Sequence, residues 1–336
     1  MSNAYLTYAA KRLVQAAVVI LLTYVFTFVV VSILPGDPIT NVLRDPQNGF
    51  TENEIKEIIA AQGLDRPILV QLWTSLSNFV TGDLGLSMRS NRPVTTLIAE
   101  VLPSTLALAS MGLVIALLLA VAIAYGTQFL PKRFGQSLLR GFPSLFLSVP
   151  NFVIGLMLIH IFGFQLGLFR VITPDSFSAT LFAAIALGVP VSARIAEVLI
   201  ANLDNESAQE YAAVARGRGL GQACLFAKHL LKPSSLPVVT VVALAVGELL
   251  GGSLITETVF GRTGIGSLVQ RSVSTQDLPV LQAVVSLAAV VFVLVNLIAD
   301  IVYPLLDPRV KLTGGPKYRP STADESSAPA TRAVTS

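Results

Sequence analysis

The chain has 336 residues, of which 53% are apolar and only 13% are charged. Soluble domains carry roughly 25% charged residues, and half that share cannot cover a large apolar core with a charged surface. The composition therefore argues against a soluble protein and indicates a chain whose solvent is partly lipid. The net charge of +3 comes from basic residues scattered in small groups, which favours membrane topology signals over a nucleic-acid-binding patch.

Six apolar runs are long enough to cross a membrane, because about 20 helical residues span roughly 30 Å. They cover residues 13–34, 105–130, 142–164, 179–203, 236–255 and 278–303. The first run ends without a small-residue cleavage site, so we interpret it as a permanent helix and not as a signal peptide. The sequence predicts an all-α polytopic membrane protein with six transmembrane helices.

Basic residues in the short loops set the predicted orientation, because cytoplasmic loops are enriched in lysine and arginine. The predicted inner side carries Lys11, Arg12, Lys132, Arg133, Arg140, Arg216, Arg218, Lys228, Lys232, Arg309, Lys311, Lys317 and Arg319. The short loops on the other side carry only Arg170, Arg262 and Arg271. We therefore expect both termini in the cytoplasm.

These spans divide the chain into four parts. Residues 1–34 form the cytoplasmic N-terminus and first transmembrane helix, and residues 35–100 form an extracytoplasmic loop with amphipathic helices. Residues 101–311 form a five-helix core that includes a patterned cytoplasmic loop at 204–235. Residues 312–336 have few large apolar side chains to bury, so we expect a disordered cytoplasmic tail.

The long outer loop carries two helix signals. Thr51 and Glu54 form a capping box, Gly63 can end that helix, and Pro67 can begin the next one. The second helix has an apolar stripe made of Leu69, Leu72, Trp73, Leu76, Phe79 and Val80. The pattern predicts two short amphipathic helices packed on the outer surface of the membrane domain. An alternative is that they lie on lipid headgroups.

No catalytic constellation accompanies these spans. One cysteine and two histidines argue against a disulfide scaffold or a His-based metal site. Ser253 has no neighbouring base, so its place after Gly251 and Gly252 favours close helix packing over nucleophilic chemistry. The string at 261–267 resembles a phosphate loop but has Ser267 where the lysine is required. We therefore predict a chain that is not an enzyme and holds no metal, nucleotide or other cofactor.

Charged residues at membrane depth point to transport. Glu248 lies within the fifth apolar run, and a carboxylate there must face the bundle interior or a wet cavity. It is the candidate for the translocation path. Arg194 and Glu197 lie one turn apart in the fourth run, and we interpret them as a pair within one helix.

The loop at 204–235 is too regular to be a linker. Residues 210–216 read as helix, Gly217 and Gly219 as a break, and residues 222–231 as a second helix. Such a compact knob suits a cleft on a cytoplasmic partner and carries motion to the two spans that it joins. The alternative is an amphipathic pair lying on the inner leaflet.

At this loop the sequence resembles the permease subunits of ATP-binding-cassette importers of the dipeptide, oligopeptide and nickel group. The matching residues are Tyr211, Ala215, Arg216, Gly219, Leu220, His229, Leu231 and Pro237. Further matches occur at 35–38, 63–67, 82–87, 92–94, 102–106, 148–152, 257–260, 264–266 and 307–311. The resemblance covers residues 5–311. One departure is that an acidic residue common in the broader importer pattern is replaced by Ala213.

The resemblance implies a role for each part of the chain. Residues Tyr211 to Leu231 would couple the permease to two cytoplasmic ATPase subunits, which bind ATP and magnesium. A second homologous permease and an extracytoplasmic solute-binding protein would complete the complex in a prokaryotic inner membrane. The candidates for docking the binding protein are Asp65, Arg66, Asp83 and Arg262. A self-sufficient secondary transporter or channel is the alternative function, and nucleic acid is not expected as a partner.

Overall fold

The computed structural model describes residues 2–33, 51–61, 66–130 and 135–306, and in these ranges its regular elements are helices. We number them α1 (Ser2–Ile33), α2 (Glu52–Ala61), α3 (Ile68–Thr81), α4 (Val94–Phe129), α5 (Gln136–Ser148), α6 (Asn151–Leu158), α7 (Phe177–Ser207), α8 (Glu210–Gly217), α9 (Gln222–Leu225), α10 (Leu231–Phe260), α11 (Ile265–Ser274) and α12 (Leu278–Leu306). Predictions for Gly63, Asp65, the motifs at 35–38 and 307–311, and the tail at 312–336 fall outside the described residues.

Five helical stretches are long and apolar enough to cross a membrane. They are Ala10–Val30, Val94–Phe129, Phe177–Ser207, Gln222–Phe260 and Leu278–Asp300, and a bent helix pair makes six if it is counted as one span. The predicted all-α polytopic class is confirmed. Several helices are longer than their apolar runs; for example, α4 begins at Val94, and the fifth span extends back to Gln222.

The third span, predicted at 142–164, is bent. Gln136–Ser148 and Asn151–Gln165 meet at an angle of 100°. The cause is Pro150, because a proline disfavours the helical conformation in the residue before it. Val149 is accordingly extended, with φ −105° and ψ 120°. The second arm ends as a π-helical segment, Ile159–Gln165.

The centre of the bundle is α7, which packs against α4 on one side and α10 on another. Small residues permit these close approaches, which is their usual role between membrane helices. A Cβ at Gly188 would lie 2.6 Å from the carbonyl oxygen of Gly112 on α4. Substitution there would push the two helices apart.

The first span lies at the edge of the bundle. It packs along α12, and Arg12 forms an ion pair with Asp300 at 3.2 Å. On its other half, the Tyr24 hydroxyl lies 2.7 Å from the Ser75 hydroxyl of α3, and the Tyr24 ring contacts the Phe79 ring. The outer-loop helix α3 is therefore attached to α1.

Both predicted outer-loop helices are present. The capping box at the start of α2 forms as expected: the Thr51 amide donates to the Glu54 carboxylate at 2.7 Å, and the Glu54 amide donates back to Thr51 Oγ1. The α3 helix follows Pro67 directly and ends at Gly82, whose positive φ of 84° permits the left-handed cap.

The end of the outer loop is fixed to the helix bundle by a buried carboxylate. Asp277, just before α12, accepts hydrogen bonds from the Ser87 hydroxyl and the Met88 amide. Beside it, Val94 and Ile98 of α4 share an apolar cluster with Val280 of α12. The turn at 87–91 is therefore a structured part of the membrane domain.

Candidate coupling loop and translocation face

The predicted coupling loop begins two residues after α7 with the short helix α8. Ala212 is fully buried, whereas Val214 and Arg216 are exposed, so one side of α8 rests on the protein and the other is open. The helix ends at a break in which Gly219 has φ +80° and the Leu220 amide donates to the Ala215 carbonyl at 3.2 Å. The helix lies where the sequence predicts it, and the break falls at Gly219, because Gly217 is the last residue of α8.

Two hydrogen bonds attach α8 to the end of α7. The Tyr211 hydroxyl donates to the Glu206 carboxylate at 2.6 Å, and it also reaches the His229 carbonyl at 3.5 Å. Arg216 donates to the Ser207 carbonyl at 2.5 Å. Burial, together with the bond to Glu206, raises the pKa of Tyr211 to about 12, so its hydroxyl stays protonated. These bonds connect α8 directly to the end of the fourth span.

The second half of the loop differs from the prediction of a separate helix at 222–231. The α9 helix continues through a π-helical segment, Phe226–Leu230, into α10, so this stretch is the beginning of the fifth span. Phe226 and Leu230 are buried, while His229 is exposed and Leu231 is half-buried. Sequence periodicity did not show this continuity, because the apolar run itself starts only near Leu236.

The predicted pair between Arg194 and Glu197 is wrong. Arg194 Nη1 instead lies 2.8 Å from Glu248 Oε2, on the neighbouring helix α10. Local spacing favoured Glu197, but the packing of α7 on α10 brings Glu248 within hydrogen-bonding distance. The ion pair joins two charged residues that the sequence had placed in different spans.

This ion pair lies on a face of the bundle that the described residues leave uncovered. The side chains of Arg194 and Glu248 are 59% and 33% exposed. Glu197 and Ala201 of α7 and Gly251 of α10 are exposed as well. We call these five residues the charged face. Both members of the pair lie close to the middle of their helices, at a depth where lipid does not stabilise charge, so this face must meet water or protein.

A second carboxylate, Glu257, was not singled out from the sequence as a site residue. It is fully buried and accepts hydrogen bonds from Thr105 Oγ1 at 2.6 Å and from the amides of Gly266 and Ser267 at 2.8 and 3.3 Å. These amides begin α11, where a negative charge is favourable. A Cβ at Gly264 would lie 2.2 Å from Glu257 Oε1, so this contact requires glycine.

Glu257 also explains the string at 261–267. Its carboxylate occupies amides that a phosphate loop would offer to a nucleotide. The sequence does show a glutamate followed by a glycine-rich turn, which could have indicated this site. Its hydrogen-bond partner Thr105, however, lies 152 residues away along the chain, so the sequence alone does not connect them. Ser253, the other residue considered for chemistry, donates to the Leu250 carbonyl within its own helix.

The predicted docking residues have unequal positions. Arg66 and Asp83 are exposed, and Asp83 accepts a hydrogen bond from the Gly85 amide. Arg262 is only 4% exposed and donates to Thr180 Oγ1 at 2.6 Å, to Ser104 Oγ at 3.0 Å and to the Pro174 carbonyl. Burial lowers the pKa of Arg262 below its usual range. The burial of its guanidinium does not favour direct contact with a binding protein, and docking by Arg262 stays a prediction.

Metal ligation finds no support in the part of the chain that the structure describes: there, no group of three or more His, Cys, Asp or Glu side chains is placed to hold an ion. The class of protein follows from three features: a bundle of membrane-crossing helices, an ion pair at mid-span, and a loop hydrogen-bonded to two of the spans. These features are those of a polytopic transport permease.

Comparison with known proteins places the chain within that class. Residues 112–312 match the family described as binding-protein-dependent transport system inner membrane component, and residues 5–109 match its N-terminal family. The chain belongs to this family. It is an inner-membrane permease subunit of a binding-protein-dependent ATP-binding-cassette importer, not an enzyme, and the resemblance found in the sequence is confirmed.

Similar proteins cover nearly the whole chain. The glutathione transport system permease protein GsiC of Escherichia coli (strain K12) is 33% identical over 307 residues, which are 91% of this chain and 99% of that protein. The same protein of Shigella flexneri serotype 5b (strain 8401) gives the same values. The inward-facing MetNI methionine ABC transporter shares the fold, with a TM-score of 0.54 at 16% identity over 62% of this chain and 96% of that one.

Proposed function

We propose that this permease and a second, homologous permease together form the translocation path for peptides or related small solutes, including metal chelates. An extracytoplasmic binding protein delivers the solute, and two cytoplasmic ATPase subunits drive the cycle. The similarity to glutathione transport permeases supports a small peptide as the solute. We expect the ATPase subunits, and not this chain, to bind the ATP and magnesium that the cycle uses.

The observation that carries this function is the charged face. Placing an arginine or aspartate at the centre of a membrane helix costs about 2.5–3.5 kcal/mol on insertion scales. The pair between Arg194 and Glu248 offsets part of that cost, but both side chains remain exposed. A water-filled path between two permeases covers this face without leaving a charge in lipid, and Glu248 is then positioned to meet a cationic group of the solute.

The coupling loop supplies the second half of the mechanism. The exposed side of α8, with Val214 and Arg216, is directed away from the bundle and suits a cleft on an ATPase subunit. Tyr211 ties this helix to Glu206 at the end of α7 and to the His229 carbonyl at the start of the fifth span. Closure of the ATPase pair would move α8, and α7 and α10 would turn with it. That rotation alters the charged face.

This function requires the coupling loop and both termini in the cytoplasm. The chain has a single cysteine, Cys224, within the loop. In a Cys224→Ser background, an Ala223→Cys variant places one thiol at an exposed position of the same loop. A membrane-impermeant maleimide should label it in inside-out vesicles and not in intact cells. Labelling of intact cells would overturn the topology.

Purification of the complex tests the assembly. The chain should copurify from membranes with an ATPase pair and a second permease. Proteoliposomes containing the whole complex should hydrolyse ATP faster when loaded binding protein is added. Solute movement by the chain alone, without ATPase subunits, would instead establish the self-sufficient transporter and contradict the importer assembly.

A further inference from the structure

The outer-loop helix α3 exposes an apolar ridge that no part of the described chain covers. Its sequence from Ile68 to Thr81 contains no charged residue. Leu69, Trp73 and Val80 are 75%, 73% and 77% exposed. At about 100° per residue these three side chains fall within an arc of about 40° on one side of the helix. We call them the α3 ridge.

The attachment of α3 to α1 fixes the direction of this ridge. Ser75 and Phe79 make the contacts to Tyr24, and they lie about a third of a turn around α3 from the ridge. The ridge is therefore directed away from α1. Tyr24 itself is buried, so the contact is part of the packed structure.

The depth of this contact distinguishes lipid from a soluble partner. By length and composition, the stretch of α1 that can cross a membrane is Ala10–Val30. Tyr24 lies six residues before the end of this stretch, about 9 Å along the helix axis at a rise of about 1.5 Å per residue. The contact with α3 therefore lies beside the apolar part of α1. A water-soluble binding protein does not reach that depth.

The remaining alternatives are phospholipid and the second permease. The packing order runs from α1 to α12, then to α10 and α7, so α1 and α3 lie at one edge of the bundle and the charged face at another. Beside α3, α1 exposes Leu22 and Phe26, which are also uncharged. This edge offers acyl chains a continuous apolar surface, whereas the charged face requires water or protein.

We propose that α3 is a membrane anchor whose ridge binds the acyl chains of the leaflet on the side of the outer loop. Trp73 provides an aromatic side chain of the kind that concentrates at membrane interfaces. An amphipathic helix of this type sits about 5–10 Å into the boundary between headgroups and acyl chains. The anchor holds the outer loop against the bilayer while the core helices move.

The experiment uses Trp73, which is the only tryptophan in the chain. The complete complex is reconstituted in phosphatidylcholine brominated at shallow or deep acyl positions, and the emission of Trp73 is obtained by subtracting a Trp73→Phe complex. We expect at least about twofold quenching, strongest for the shallow bromines, in line with an interfacial depth. Addition of loaded binding protein should leave the Trp73 emission unchanged.

A matched control moves the tryptophan to the other side of the helix. Asn78 is exposed and lies roughly opposite the ridge, so Asn78→Trp in the Trp73→Phe background should be quenched much less. Absence of quenching of Trp73 would overturn the proposal. Quenching of Trp73 by brominated lipid that appears only when the second permease is omitted would show that this permease covers the ridge. Aqueous iodide can also quench Trp73, and protection from iodide only when binding protein is added would show that the binding protein covers the ridge. Either result also overturns the lipid anchor.

Discussion

Arg194 of α7 and Glu248 of α10 form an ion pair at 2.8 Å that links the two spans joined by the coupling loop. The same two spans are tied together at one end by Tyr211, which contacts Glu206 and the His229 carbonyl. We therefore expect a rotation of α7 against α10 that begins at the loop to change the distance between Arg194 and Glu248. The pair connects the proposed coupling loop to the proposed path.

Replacement of Glu248 with glutamine should impair transport more than stability. The variant leaves Arg194 without its carboxylate on a face that the membrane does not stabilise. Because the pair is partly exposed, we expect a change of less than about 1 kcal/mol in the free energy of unfolding. Uptake by the reconstituted complex should fall roughly tenfold, equivalent to about 1.4 kcal/mol.

Glu197 offers a matched control for this experiment. It is an exposed carboxylate on the same face, one turn from Arg194, and its partner is not Arg194. Glu197→Gln should lower uptake less than Glu248→Gln does, because Glu197 is not paired with Arg194. Equal losses in the two variants would show that transport depends on total negative charge and not on the ion pair.

The sequence was sufficient for the helices but not for the contacts between them. Apolar runs and caps predicted α2, α3, α7 and α12 because those signals are local. Pro150 is a local signal for a bend, but the length of the apolar run at 142–164 favoured a single continuous span. The partner of Arg194 was predicted wrongly because helix packing, not spacing along one helix, decides which carboxylate is nearest.

Removal of the Tyr211 hydroxyl should uncouple the ATPases from transport. Tyr211→Phe keeps the ring but loses the bond to Glu206. We expect ATP hydrolysis to continue while solute uptake per ATP falls severalfold, measured in proteoliposomes. Tyr125→Phe is the control, because the Tyr125 ring packs on Phe129 and the Tyr125 hydroxyl makes no hydrogen bond to the residues that the structure describes. The same uptake per ATP in both variants would contradict a coupling role for the hydrogen bond between Tyr211 and Glu206.

The protonation of Tyr211 adds a test by pH. Its pKa is raised to about 12 in the folded chain, above the ordinary value of 10.0. A raised pKa means that its contribution to stability is complete below pH 10 and is lost as pH rises from about 10 to 12. The difference in thermal stability between wild type and Tyr211→Phe should therefore be constant from pH 6 to 9 by calorimetry. A difference that changes within that range would show that Tyr211 is not held as described.

The site around Glu257 predicts a strict requirement for glycine at position 264. Gly264→Ala places a methyl group 2.2 Å from the carboxylate and must displace Glu257 from the amides of α11. We expect a loss of about 2–4 kcal/mol, or failure to assemble, because a buried carboxylate is left without its donors. Gly251→Ala is the control, since its Cβ meets open space. Thermal unfolding in detergent compares the two variants.

Arg262 shows why exposure cannot be assigned from a loop position. It follows a transmembrane helix in a turn that the sequence predicts to be extracytoplasmic, yet its guanidinium binds Thr180, Ser104 and the Pro174 carbonyl. Arg262→Gln should lower the unfolding temperature of the complex. Complexes that still fold should bind loaded binding protein with unchanged affinity. A weakened affinity with an unchanged unfolding temperature would restore the docking role.

The break after α8 gives the most closely matched pair of substitutions. Gly219 has φ +80°, a conformation that costs a side-chain-bearing residue roughly 1–2 kcal/mol. Gly217, two residues earlier, ends α8 without positive φ, and a Cβ at either position meets no atom within 4 Å. Gly219→Ala should therefore distort the loop through backbone strain alone, whereas Gly217→Ala should be tolerated. We expect Gly219→Ala to lower stimulation of ATP hydrolysis by loaded binding protein severalfold while Gly217→Ala preserves it. Equal stimulation in both variants would show that the conformation at Gly219 does not determine coupling.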